Sequence, residues 1–202
     1  MNIPSILGFV GTIIGLVRAV PQLVRLLRAR GAFGVSVDTA ATSSIVSLGW
    51  AVYGLLTGQT YVVLATGSSG LIFAVITVMA LRYGRSLREF RVAPLWLVVL
   101  LVTGFVFGTN VLGIVLALSA LVSNIPQILV AYREDNLNGL SLGTWLLSLS
   151  DGLVWGTYAL LQHDISIIAS GAFQSITSGL IVARILVQQS HKKALESELN
   201  SE

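Results

Sequence analysis

The chain has 202 residues, 54% hydrophobic and 10% charged, with a net charge of +3 and a mean hydropathy of +0.85. Soluble domains carry roughly 25% charged residues, so this composition excludes an ordinary soluble fold and points to lipid as the solvent. Its basic residues fall in small groups between apolar runs, which excludes a nucleic-acid face, and the lack of cysteine excludes disulfides and thiolate chemistry.

A helix needs ~20 predominantly apolar residues to cross the hydrocarbon core, and the pattern predicts an all-α membrane protein with seven transmembrane helices. The first, Pro4–Leu27, has no basic residues ahead of its apolar run and reads as a retained span, not a cleaved signal. It carries a small-xxx-small pair, Gly11 and Gly15, an arginine, Arg18, and the dipeptide Pro21-Gln22. The second, Thr39–Thr57, follows Asp38, which reads as its N-terminal cap, and contains Trp50 and Tyr53. The third is Tyr61–Leu81, with Thr66; the fourth, Ala93–Phe107, is the shortest and least polar, with Gly104 and Gly108 as a second small-xxx-small pair. The fifth, Val111–Tyr132, holds Asn124 and a second Pro-Gln, Pro126-Gln127. The sixth, Leu142–Leu161, contains Asp151, Trp155 and Tyr158, and the seventh, Ile165–Val187, contains Ser170 and Gln174. The polar tail, 189–202, is expected to be frayed or disordered.

Loop charges set the orientation. Arg28 and Arg30, then Arg82, Arg85, Arg88 and Arg91, then Arg133, and finally Lys192 and Lys193 occupy alternate connections; the intervening "LTGQT", "FGTN" and "LQHD" have no lysine or arginine. The positive-inside rule places the arginine-bearing loops and C-terminus in the cytoplasm and the N-terminus outside.

The two Pro-Gln pairs lie 105 positions apart, and that offset aligns much more. Arg28 meets Arg133, Gly34 meets Gly139, Ser36 meets Ser141, Trp50 meets Trp155 and Tyr53 meets Tyr158. The chain therefore reads as two three-helix repeats, 4–82 and 111–188, around a linker helix, 93–108. Three is odd, so one linker span is needed for both repeats to run in the same direction. Proline inside a helix removes a backbone hydrogen bond. Two such defects in equivalent places, each followed by a glutamine able to bond freed backbone groups, read as hinges.

The ordered set, Pro-Gln, basic loop, Gly-x-Ser and Trp-x-x-Tyr, occurs twice, in "PQLVRLLRARGAFGVSVDTAATSSIVSLGWAVYGLL" and "PQILVAYREDNLNGLSLGTWLLSLSDGLVWGTYALLQHDISII". It resembles the PQ-loop superfamily and, within it, the SWEET and SemiSWEET sugar transporters. That resemblance implies a 3+1+3 arrangement of two parallel three-helix bundles and a linker, alternating access, and substrate contacts from the tryptophan and from an asparagine about 16 residues later. Trp50 and Trp155 match the tryptophan; an indole offers its face to a sugar ring and its N–H as a donor. The asparagine position falls at Thr66 and Gly171, and a proline common near the start of the third span is replaced by Tyr61 and Ser166, so the sequence departs from the sugar pattern there. Thr66, Asn124, Asp151 and Gln174 complete the candidate pocket, with Tyr53 and Tyr158 as gate or interfacial belt.

Asp151 has Val46 as its counterpart and breaks the symmetry of the repeat. An ionisable residue at that depth faces a cavity or a partner. It also resembles the acidic residue of the cystinosin-like amino-acid exporters. Should Arg18 and Asp151 both face the cavity, they suit a zwitterion; alternatively Asp151 carries a coupling proton and Arg18 snorkels to the surface.

The primary reading is a transporter for a small polar solute, a sugar by the resemblance. The alternatives are a proton-coupled amino-acid carrier and a sorting receptor of related fold. An enzyme is not expected, since neither His163 nor His191 has a spacing partner. A retinal-type photoreceptor needs a lysine in the seventh span, which has none. No cofactor or metal is expected. The expected partners are the solute and the lipid bilayer, with an oligomer left open, in a prokaryotic plasma membrane.

Overall fold

A computed structural model describes residues 2–32, 35–133, 137 and 140–199. The matched pair Gly34 and Gly139 lies outside the described residues, as does the side chain of Pro126. The helices are α1 (Ile3–Ala29), α2 (Val37–Leu56), α3 (Thr60–Arg82), α4 (Val92–Val102), α5 (Thr109–Arg133), α6 (Leu142–Gln162) and α7 (Ile165–Leu199). A 3-10 turn at Leu87–Glu89 precedes α4, and α4 continues as a π-helical stretch, Thr103–Phe107.

Local chemistry sets the ends. The Asn2 side chain caps α1 by accepting from the Ser5 N–H at 3.0 Å, with Pro4 in the first turn where its missing N–H costs nothing. Ser36 and Ser141, one repeat apart, cap α2 and α6 by accepting from the Thr39 and Thr144 N–H groups at 3.2 and 3.3 Å. The α2–α3 and α6–α7 turns also match: Gly58 (φ 72°) and His163 (φ 55°) are one repeat apart and both left-handed. Both α1 and α5 run as continuous helices through the positions of Pro21 and Pro126.

In the first half α1 and α2 both pack on α3; in the second α5 and α6 both pack on α7. The halves meet where α1 lies against α6 and α2 against α5, and α4 leans on α2. Three apolar cores result, and their placement differs between the two ends. At the end holding Tyr53 and Tyr158, one core is shared by both halves and includes Val62, Leu112, Leu116 and Ile167. At the arginine-bearing end each half has its own: Leu26, Val37, Ile76 and Ala80 in the first, Ala131, Leu137, Ile181 and Ile185 in the second.

Five helices are long and apolar enough to cross a membrane: α1, α2, α3, α5 and Ile165–Ser190 of α7. Large apolar side chains such as Phe9, Ile13, Leu71, Leu95 and Phe105 cover the outer surfaces, as expected of a multi-pass membrane protein. The seven crossings expected from sequence are not all reached by this measure. α6 is 21 residues long but carries Ser148, Ser150, Asp151 and Thr157, and Val92–Phe107 is apolar but short.

Three expectations change. Asp38 does not cap α2, whose cap is Ser36; its carboxylate accepts from the Arg91, Val92 and Ala93 N–H groups at 2.9–3.1 Å and caps α4. Gly108 (φ 82°) makes the turn between the π-helical stretch and α5 instead of a helix–helix contact. The tail is helical to Leu199, in keeping with the strong helix formers in "HKKALESEL".

Candidate functional site

A cavity of about 770 Å³ lies between the halves. It extends from the level of Trp50, Trp155, Val62 and Ile167, beneath the shared core, to Asp38, Thr39, Val92 and Gln127 towards the arginine-bearing end. Its volume falls in the range of small-molecule sites. Of the candidate substrate residues, Trp50, Trp155, Thr66, Asn124, Asp151 and Gln174 all line it, and so do Arg18 and Gln127. Pro21 and Gln22 sit on the exposed side of α1, away from the cavity.

The tryptophans stand in matched settings. Trp50 meets Tyr53 edge-to-face with centroids 5.4 Å apart, and Trp155 meets Tyr158 in the same way at 5.3 Å. The three-residue helical rise from Trp to Tyr sends the tyrosines beyond the cavity, where both are buried. They are part of the shared core that plugs this end.

At the centre of that plug is a carboxylate the sequence reading did not single out. Asp164 accepts from the Tyr53 hydroxyl at 3.0 Å, from Gln59 Nε2 at 2.8 Å and from the Ile167 N–H at 3.0 Å. Gln59 and Asp164 are one repeat apart, so the two halves join here through equivalent positions. Close helix approach supports the plug in both halves: a side chain at Gly8 would strike Tyr61, and one at its counterpart Gly113 would strike Ser166 and Tyr53.

Lower in the cavity the halves are joined asymmetrically. Arg18 of α1 donates from one guanidinium nitrogen to Asp151 Oδ2 of α6 at 2.6 Å. The Asp151 side chain is 14% exposed and that of Arg18 39%. Asp151 Oδ1 is buried and accepts no hydrogen bond among the described residues. Trp155 stands one turn further along the same face of α6. The two charges that suggested a zwitterion site do line the cavity, and they are bound to each other.

On the second half, Asn124 donates from Nδ2 to Gln174 Oε1 at 3.1 Å and to Thr177 Oγ1 at 2.8 Å. Thr66 turns its hydroxyl back to the Val62 carbonyl at 2.6 Å. Gly171 has a steric cause: a Cβ there would lie 2.7 Å from Gly156 Cα and 2.9 Å from the Gly152 carbonyl. α6 and α7 touch backbone to backbone, so an asparagine cannot occupy this position. The nearest side-chain amide on the same helix is Gln174, about one turn away.

Fold and cavity together define a helical membrane protein whose two similarly built halves enclose a chamber with polar groups on a largely apolar wall, sealed at one end by a core they share. The comparisons agree. Residues 108–168 match the family model of the PQ loop repeat. The chain is similar to a solved eukaryotic SWEET transporter, with a TM-score of 0.70 and 19% identity over 94% of this chain and 100% of that one. No curated protein matches. The chain thus carries a PQ-loop repeat on a SWEET-like fold.

Proposed function

We propose that the protein is a membrane transporter that moves a small polar solute by alternating access between two parallel three-helix bundles, α1–α3 and α5–α7, with α4 as the linker span. The N-terminus lies outside and the arginine-bearing end faces the cytoplasm. What supports this most is the contrast between the two ends: one core spans both halves beyond the tryptophans, whereas the other end has two separate cores with the cavity between them. Such a molecule is closed outside and open inside. The opposite state follows if the inner cores close on one another while the Asp164 cluster parts. Pro21 and Pro126 leave the carbonyls of Val17 and Val122 without their helical donors, and the inner ends of α1 and α5 swing there, with Gln22 and Gln127 bonding freed backbone.

The solute sits between Trp50 and Trp155. A sugar is favoured by the paired indole faces and by the likeness to a SWEET transporter. The Arg18–Asp151 pair favours a second reading, a proton-coupled amino-acid carrier, in which the solute's carboxylate and ammonium exchange with the pair. Counterflow in proteoliposomes with labelled sugars and labelled amino acids, with and without a pH gradient, tests both. Sugar flux insensitive to pH and to Asp151→Asn supports the first reading; amino-acid flux lost in that variant supports the second. Absence of saturable flux for either class refutes transport of these solutes.

A further inference from the structure

The arginines of the charged end are concentrated on one half of the molecule. Arg25, Arg28 and Arg30 at the end of α1 and Arg82, Arg88 and Arg91 around the α3–α4 connection are all exposed. The segments that carry them adjoin, because Leu26, Ala80, Tyr83 and Phe90, interspersed among the arginines, pack into a single core, and the exposed arginines make one basic band along those segments in sequence. The two carboxylates nearby are engaged: Glu89 with Arg85 at 3.3 Å, and Asp38 with the backbone N–H groups of residues 91–93. The second half differs. Arg184 donates from Nε to the Ala131 carbonyl at 3.1 Å, and in the sequence Arg133 is followed directly by Glu134 and Asp135. The positive-inside rule requires only that such charges share one side of the membrane. It gives no reason for setting so many exposed arginines on one repeat, where the second half and its tail carry Arg133, Arg184, Lys192 and Lys193.

Within the band stands Leu87, 71% exposed, between Arg85 and Arg88. The turn that carries it is fixed by a reciprocal pair of hydrogen bonds: Arg88 N–H to Ser86 Oγ at 3.2 Å, and Ser86 N–H to Glu89 Oε1 at 2.9 Å. A rigid turn with an apolar tip flanked by guanidinium groups, at the ends of bilayer-length helices, matches the boundary between headgroups and acyl chains. All the cations are arginine, whose planar fork pairs with phosphate oxygens.

We infer that this band is a docking surface for anionic phospholipid headgroups, with Leu87 seated among the acyl chains. It anchors the first half to the bilayer surface.

The test uses the purified full chain in detergent, titrated with phosphatidylglycerol or phosphatidylcholine, with retained lipid read by native mass spectrometry and the thermal midpoint followed in parallel. The expected result is about threefold or greater preference for phosphatidylglycerol, with a higher midpoint. The preference falls to parity in R82Q/R88Q/R91Q, weakens in Leu87→Ser and is unchanged in Arg133→Gln. Should the triple glutamine variant fail to fold, R82K/R88K/R91K supplies the same test, with the preference reduced but retained. Parity of the two lipids in the parent protein overturns the inference. So does a preference that survives the glutamine substitutions, or inorganic phosphate raising the midpoint as much as phosphatidylglycerol does.

Discussion

Tyr53→Phe isolates one bond of the sealed end. The substitution keeps the ring, its burial and its edge-to-face contact with Trp50, and removes only the hydroxyl that Asp164 accepts at 3.0 Å. Asp164 is left with Gln59 Nε2 and the Ile167 N–H. A hydrogen bond to a charged group contributes about 1.5–3 kcal/mol net. Under the proposed alternating access the bond exists only while the sealed end is closed, so its loss falls on the closed–open equilibrium and raises the open population by about 10- to 150-fold. The chain has no cysteine, so Thr66→Cys on the cavity wall introduces a single thiol. A membrane-impermeant maleimide added to intact cells reaches that thiol only when the sealed end opens. Labelling should accelerate by about tenfold or more in Tyr53→Phe relative to the Thr66→Cys parent. A rate within about twofold of the parent would refute the assignment of Tyr53 and Asp164 as the seal.

Other substitutions probe the packing and the charges. Arg18→Gln should destabilise the protein by about 1–3 kcal/mol, below the 3–5 kcal/mol of a fully buried broken pair because the Arg18 side chain is 39% exposed; adding Asp151→Asn should restore most of the thermal midpoint in detergent, and a double variant no more stable than Arg18→Gln would contradict the pairing. Gly171→Ala places a methyl 2.7 Å from Gly156 Cα and should cost about 1–3 kcal/mol. Gly179→Ala, whose methyl would meet nothing nearer than Leu149 Cδ1 at 4.0 Å, should be neutral or stabilising by up to about 1 kcal/mol; equal midpoints for the two variants would dismiss the close α6–α7 approach. His163→Gly relieves a left-handed residue where the other repeat already has Gly58, and a gain of up to about 1 kcal/mol is expected. A loss in the same unfolding assay would mean that the imidazole makes an interaction outweighing the backbone strain.

Much of the architecture was legible because the repeat carries specific residues and not only apolar periodicity. Ser36 and Ser141 cap their helices alike, and the two Trp–Tyr pairs adopt the same edge-to-face geometry. What escaped the sequence lies where distant segments meet. Gln59 and Asp164 read as ordinary turn residues in "LTGQT" and "LQHD", although extending the 105-residue offset six positions beyond Tyr53 and Tyr158 would have paired them. Asp38 looked like the cap of its own helix; its true partner is the start of α4, some 53 residues along, brought there when the 83–91 connection folds back. The glycine at 171 registered as a lost side chain, and only the backbone contact with Gly156 gives the cause. For Arg18 the sequence leaves both a cavity-facing role and snorkelling to the surface open, because its direct bond to Asp151 depends on α1 and α6 being neighbours, which helical periodicity within either segment does not encode.

The central claim is that the two ends of the chamber open in turn, and that the Gln59–Asp164 contact must part for solute to pass. It is tested most directly by placing cysteines at Gln59 and Asp164 in the otherwise cysteine-free chain, joining them with a short bis-thiosulfonate linker, and following solute counterflow in proteoliposomes before and after reduction. Counterflow that stops on linking and returns with dithiothreitol is the predicted result. Undiminished counterflow through the linked protein would contradict the account.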